Sequence, residues 1–212
     1  MKRDDHFDAI ERQRRALCDV LEELSPEQFQ TISLCQGWTV HDVLAHLVMP
    51  HETSIVRVMG SIARSKGNFN QANKRLTARF AKRSDATLTA QLRSHAAGRF
   101  KPPGFDSAAS LTDTYIHSRD ICDPLNIVAP GEPEQWAFVT RFLSTHKAQK
   151  MFVGTPPQEI HLSASDVDFE FGLGPSVQGT VADLAMTLAG RAVSPGSLRG
   201  EGLDALLQWS KR

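Results

Sequence analysis

The sequence predicts a mainly α-helical protein: a helical bundle over roughly residues 1–150 and a small α/β domain over 155–212. Three observations predict it. Apolar residues return at three- and four-residue intervals through most of the first 150 positions, the period of a helix with one buried face. Thr39, Ser84 and Thr180 stand where a hydroxyl can cap the helix that follows. After Gly154-Thr-Pro-Pro157 the apolar period changes to two, as in half-buried strands.

The elements follow in order. From Asp4 to Glu23, Phe7, Ile10, Ala16, Leu17, Val20 and Leu21 recur with charges between them, and the run Arg12 to Arg15 reads as a solvated helix face. Ser25-Pro26 opens a short turn, and Thr31 to Gly37 reads as loop. Thr39 starts the second helix, with Asp42 placed to close its cap and Val40, Val43, Leu44 and Leu47 as its apolar stripe. Pro50 has no amide hydrogen for the His46 carbonyl, so a kink or break is expected near that histidine, with the helix resuming through Ile55, Val58 and Met59. Residues 61–98 read as polar helix, capped again at Ser84, and Lys101-Pro-Pro-Gly104 breaks it. Helices are expected over Leu111–Ile121, stopped by Pro124, and over Pro133–Gln149. Ile160 to Ala164 and Val167 to Phe171 read as two strands joined through Ser165-Asp166. Thr180 then caps a helix that Gly190 ends, and Gly200 to Trp209 supplies a last one.

Composition narrows the function. The 212 residues are 41% hydrophobic and 23% charged, enough for a folded core. Lys plus Arg and Asp plus Glu both number 24, so there is no global attraction to nucleic acid or anionic lipid, although local patches are open. Neither a nucleic acid nor a membrane is the expected partner. Cys18, Cys35 and Cys122 are scattered, which argues against a disulfide scaffold or a cysteine-rich zinc site and for a reducing, cytoplasmic setting. The opening MKRDDHFDAIERQRR is too polar for a signal peptide, and the apolar runs are too short to span a bilayer.

Two stretches carry candidate chemistry. "CQGWTVHDVLAHLVMPHE", residues 35–52, contains His41, His46 and His51. On a helical wheel His51 falls nearer the centre of the apolar stripe than His46, while His41 points away and is expected to be exposed. In "LTDTYIHSRDICDPL", residues 111–125, Asp113 and His117 stand four apart and stack on one helix face, with Asp120 three further on. A carboxylate and an imidazole so spaced can reach one cation, and a third ligand from another helix would complete a catalytic type of site. His46 and His51 both qualify on spacing. No GxSxG, P-loop, GxGxxG or HExxH is present.

Three segments together are familiar. "LCQGWTVHDVLAHLV" (34–48) resembles the N-terminal signature of the mycothiol-dependent maleylpyruvate isomerase family, within the DinB-like metal-binding superfamily. "DTYIHSRDICDPLNI" (113–127) resembles the second signature, and "GPSVQGTVADLAMTLAGRA" (174–192) the small C-terminal domain. The resemblance implies a DinB-like four-helix bundle holding a divalent metal, zinc being the expected ion, on His46, Asp113 and His117. It implies mycothiol as co-substrate: the metal holds the thiol as thiolate, which attacks an electrophilic small molecule, in an isomerase or thiol-transferase reaction. Asp120 is then placed to orient His117. The acidic ligand of the family is usually glutamate, and here it is Asp113. Asp123 and Asn126 likewise replace a basic residue and a glycine. The alternative expectation is a non-catalytic bundle of the same kind that binds a metal or a ligand.

Overall fold

The computed structural model describes residues 5–102, 104–152 and 159–210. Helix α1 (Asp5–Glu22) buries Ala9, Ile10, Leu17 and Leu21, and the short α2 (Pro26–Phe29) begins at a Ser25 capping box closed by Gln28. Helix α3 (Val40–Glu52) starts as expected: Thr39 Oγ1 accepts from the Asp42 amide at 3.2 Å, and Asp42 Oδ2 accepts from the Thr39 amide at 3.0 Å. The expected break near His46 is not there. α3 passes Pro50 and ends at Glu52, because proline forfeits one backbone bond close to an end where bonds run out anyway. Thr53 Oγ1 donates to the Met49 carbonyl at 2.7 Å and satisfies part of that end.

The tract after it is three helices, α4 (Ile55–Arg64), α5 (Phe69–Phe80) and α6 (Asp85–Ser94), capped by Ser54, Asn68 and, as expected, Ser84. Helix α7 (Ser107–Cys122) runs into a 3₁₀ turn over Asp123–Leu125, and Asn126 leaves it in the left-handed region at φ 56°. The single helix expected over 133–149 is divided at Ser144-Thr145 into α8 (Pro133–Leu143) and α9 (His146–Phe152). Strands β1 (His161–Ala164), β2 (Glu170–Phe171) and β3 (Ser176–Gly179) precede α10 (Val181–Leu188) and α11 (Leu203–Ser210).

Contacts group the chain into two units, Met1–Lys101 with His117–Pro130, and Pro102–Ile116 with Gly131–Arg212. The division expected from sequence, 1–150 against 155–212, assigns α8 and α9 to the bundle, whereas the contacts group them with the strands. Gly154 to Pro157, the expected breaker, lies outside the described residues, as do Asp4 and Pro103 of the other expected boundaries.

The core of the first unit is Leu17, Leu21, Val43, Leu44, Leu88, Leu92 and Ile121, with α6 packed on α1 and α3. The face over Arg12 to Arg15 is not all solvated. Gln13 and Arg14 are buried, because carbonyls await them: Arg14 Nη1 donates to the Gly98 carbonyl at 3.0 Å, and Gln13 Nε2 to the Pro130 carbonyl at 2.7 Å. His41 is also not exposed as expected. Its Nδ1 meets Asp85 Oδ1 at 2.5 Å and its Nε2 meets the Ala81 carbonyl at 2.9 Å, since the α5–α6 turn lies over the start of α3.

Both partners of that ring are acceptors, so the arrangement suits an imidazolium. Burial alone would depress the His41 pKa, but the Ala81 carbonyl and the Asp85 carboxylate, helped by Asp42, raise it above the ordinary value. A raised folded-state pKa stabilises fully below the unfolded value, about 6.5, and that stabilisation is lost as pH rises through the folded value. The melting-temperature gap between the native protein and His41→Gln is therefore expected to be widest below about pH 6.5 and to narrow as pH rises above it. A gap that widens with pH would reject the assignment.

In the second unit the sheet order is β2-β1-β3. β1 and β2 are antiparallel with Leu162 opposite Phe171, the expected hairpin, while β3 is parallel to β1 with Leu162 opposite Val177. α8 packs on α10, and Thr140 Oγ1 donates to the Val181 carbonyl at 3.0 Å. Gly200 (φ +127°) lets the chain cross β3, for a Cβ there would stand 2.2 Å from the Ser176 oxygen.

Candidate metal centre

α3 and α7 position the candidate ligands. Asp113 and His117 are one turn apart on the continuous helix α7, so their mutual geometry follows from the helix itself. His46 sits in the buried middle of α3, and its ring meets that of His117 edge to face with centroids 4.8 Å apart. One ligand atom from each of His46, Asp113 and His117 lies within 4.8 Å of the other two. Ligand atoms about 2.1 Å from a tetrahedral ion stand about 3.4 Å apart, so small side-chain rotations close this group on one cation.

The donor set fits a divalent ion: two imidazole nitrogens and a carboxylate, a combination found with zinc and with other first-row metals. A second feature supports it. Asp120 is fully buried, and its Oδ2 lies 2.8 Å from His117 Nδ1. That contact fixes the tautomer with the proton on Nδ1 and the ligating lone pair on Nε2. The expected metal-affinity loss in Asp120→Asn is about 10- to 100-fold, read by competition with a chromogenic chelator. An unchanged affinity would assign Asp120 to packing alone.

His51, which the wheel ranks above His46, is elsewhere. Its ring stacks on His95 at 5.5 Å with an interplanar angle of 11°, and Phe100 meets its edge. His95 in turn reaches Glu52 at 3.3 Å, and Arg83 holds Glu52 at 2.7 Å. Trp38 stands against His46 with ring centroids 5.3 Å apart, giving the histidine an aromatic neighbour. Arg119 pairs with Asp123 at 2.7 Å at the end of α7. Cys18 and Cys122 are fully buried, and burial pushes their thiols up to about 11 and about 12.

The fold is a mainly helical bundle with a small three-stranded C-terminal α/β part. Residues 10–101 match the model described as the mycothiol maleylpyruvate isomerase N-terminal domain, the family that the sequence motifs resemble. The fold is similar to the crystal structure of the mycothiol-dependent maleylpyruvate isomerase, with TM-score 0.59 and 13% identity over 95% of this chain and 93% of that one. A mutant of that isomerase is similar with TM-score 0.60, at the same identity and coverage. No curated protein matches the sequence.

Proposed function

We propose that the chain is a metal-dependent enzyme that uses a low-molecular-weight thiol, mycothiol, as nucleophile on an electrophilic small molecule, as an isomerase or thiol transferase. The observation that carries this reading is the approach of His46, Asp113 and His117 to within 4.8 Å of one another. A divalent cation bound there, zinc being the preferred ion, supplies the positive charge that lowers a thiol's pKa and holds it as thiolate.

The chain's own residues do the rest. His46 and His117 present imidazole nitrogens from buried positions, and Asp113 brings one negative charge. Asp120 holds the His117 ring in its ligating tautomer. Trp38 gives an apolar wall beside His46 that keeps water from that side. Cys18 and Cys122 are buried as neutral thiols, Cys35 is the partly exposed one, and a thiol brought in as co-substrate requires none of the three. Such a co-substrate suits a cytoplasmic setting.

The test uses untagged protein reconstituted with zinc. The expected result is about one metal ion per chain by elemental analysis, and turnover of maleylpyruvate or a generic electrophile only when thiol is added. A chain that stays metal-free rejects the proposal. Metal binding without thiol-dependent turnover of any electrophile replaces it with the non-catalytic bundle.

A further inference from the structure

The chain is neutral overall, but its charge is not evenly spread. Residues 53–84 contain eight Lys and Arg and no Asp or Glu, so the rest of the chain holds sixteen basic against twenty-four acidic residues. This tract is the α4–α5 hairpin. Arg57, Arg64, Lys66, Lys74, Arg75, Arg79 and Lys82 are exposed on it. Among the described residues, Arg83 is the member of the set that pairs with a carboxylate, that of Glu52.

The same hairpin exposes apolar surface. Val56 is 78% and Met59 58% exposed, and with Gly60 and Ala63 they follow the i, i+3, i+4, i+7 spacing of one helix stripe. The opposite side of α4 is turned inward, where Ser61 Oγ donates to the Ala72 carbonyl of α5 at 3.1 Å. Arg75 Nη1 donates to the Arg64 carbonyl at 3.2 Å, so the basic face of α5 adjoins the end of this stripe. A short helix with an outward aliphatic stripe, flanked by unneutralised guanidinium and ammonium groups, has the chemistry of an interfacial anchor.

We infer that the α4–α5 hairpin docks the protein on an anionic lipid surface, with Val56 and Met59 entering the headgroup boundary and the Lys and Arg side chains meeting lipid phosphates. The charge is complementary to such a surface, and exposed aliphatic side chains gain from lipid. Single-stranded nucleic acid would instead call for several exposed aromatic stacking platforms, and the tract holds two aromatic residues, of which Phe80 is buried. No helix among the described residues is long and apolar enough to cross a membrane, so attachment is peripheral. This inference is independent of the proposed metal chemistry.

The test is co-sedimentation of the whole protein with vesicles of phosphatidylcholine alone or with about one-third phosphatidylglycerol, at low and high salt. Binding is expected only to the anionic vesicles and is expected to be released by salt. The triple variant Lys74→Gln, Arg79→Gln, Lys82→Gln changes exposed groups only and is expected to bind about a hundredfold more weakly. The fluorescence of Met59→Trp is expected to shift to the blue on anionic vesicles. Absence of binding at low salt, or equal binding of the triple variant, overturns the inference. So does tighter binding to an oligonucleotide with no blue shift at position 59 on vesicles, which reassigns the face to nucleic acid.

Discussion

His117→Ala is expected to leave the protein folded and, on the proposed function, to abolish metal binding and thiol-dependent turnover together. The histidine is one of two nitrogen donors in the group of three, and a carboxylate with one imidazole is a poor site for zinc. A bound cation supplies several kcal/mol of charge stabilisation, and about 4 kcal/mol is about a thousandfold in rate. The expected readout is therefore turnover reduced about a thousandfold or more, with metal content falling toward zero in the same preparation. The fold tolerates the change because His117 forms no part of the apolar cluster. His51→Ala is the control. Its ring stacks on His95 and lies outside the ligand group, so metal content is expected to match the unmodified protein. If His51→Ala loses the metal and His117→Ala keeps it, the ligand assignment is wrong.

The largest stability effect is expected at Leu92→Ala. Leu92 has no exposed surface and lies on α6, which packs on α1 and α3. Removing three carbons from such a site loses transfer free energy and leaves a cavity, about 3 to 5 kcal/mol together. For a chain of this size each kcal/mol moves the melting temperature about 2–4 °C, so a drop of roughly 6–20 °C is expected by calorimetry. Collapse around the cavity is resisted because α6 is held at both ends. Ser84 caps its start, and the buried Arg14 reaches the carbonyls of His95, Ala96 and Gly98 just past its end. A drop of only a degree or two would mean that α6 is a loosely attached element.

The capped helices were the most legible part of the sequence, because a cap is local chemistry. Thr39 with Asp42, Ser84 and Thr180 each start a helix where their side chains oblige the next amides to turn. Features decided by distant residues were not legible. β3 is four residues long and ends in Gly179, and its parallel register against β1 makes it a strand. The burial of Arg14 depends on carbonyls more than 80 positions away. The same division runs through the site. Asp113 and His117 share a helix face, so spacing alone pairs them. Choosing between His46 and His51 needs the partner helix: His46 faces His117 on α7, and His51 is turned to His95. The basic α4–α5 hairpin was hidden for a different reason, since a total charge of zero averages it against an acidic remainder.

The placement of the cysteines has a consequence for an enzyme that handles electrophiles. On the proposed function such a substrate also alkylates accessible protein thiols, more slowly than the activated co-substrate thiol, so the catalyst is exposed to its own substrate. Cys18 and Cys122 are fully buried and held neutral, which removes two of the three targets. Cys35 is partly exposed, in the loop that leads to Trp38 and the cap of α3. It is the position at which a record of electrophile exposure would accumulate, so the working lifetime of this protein would be set by one loop thiol rather than by its core.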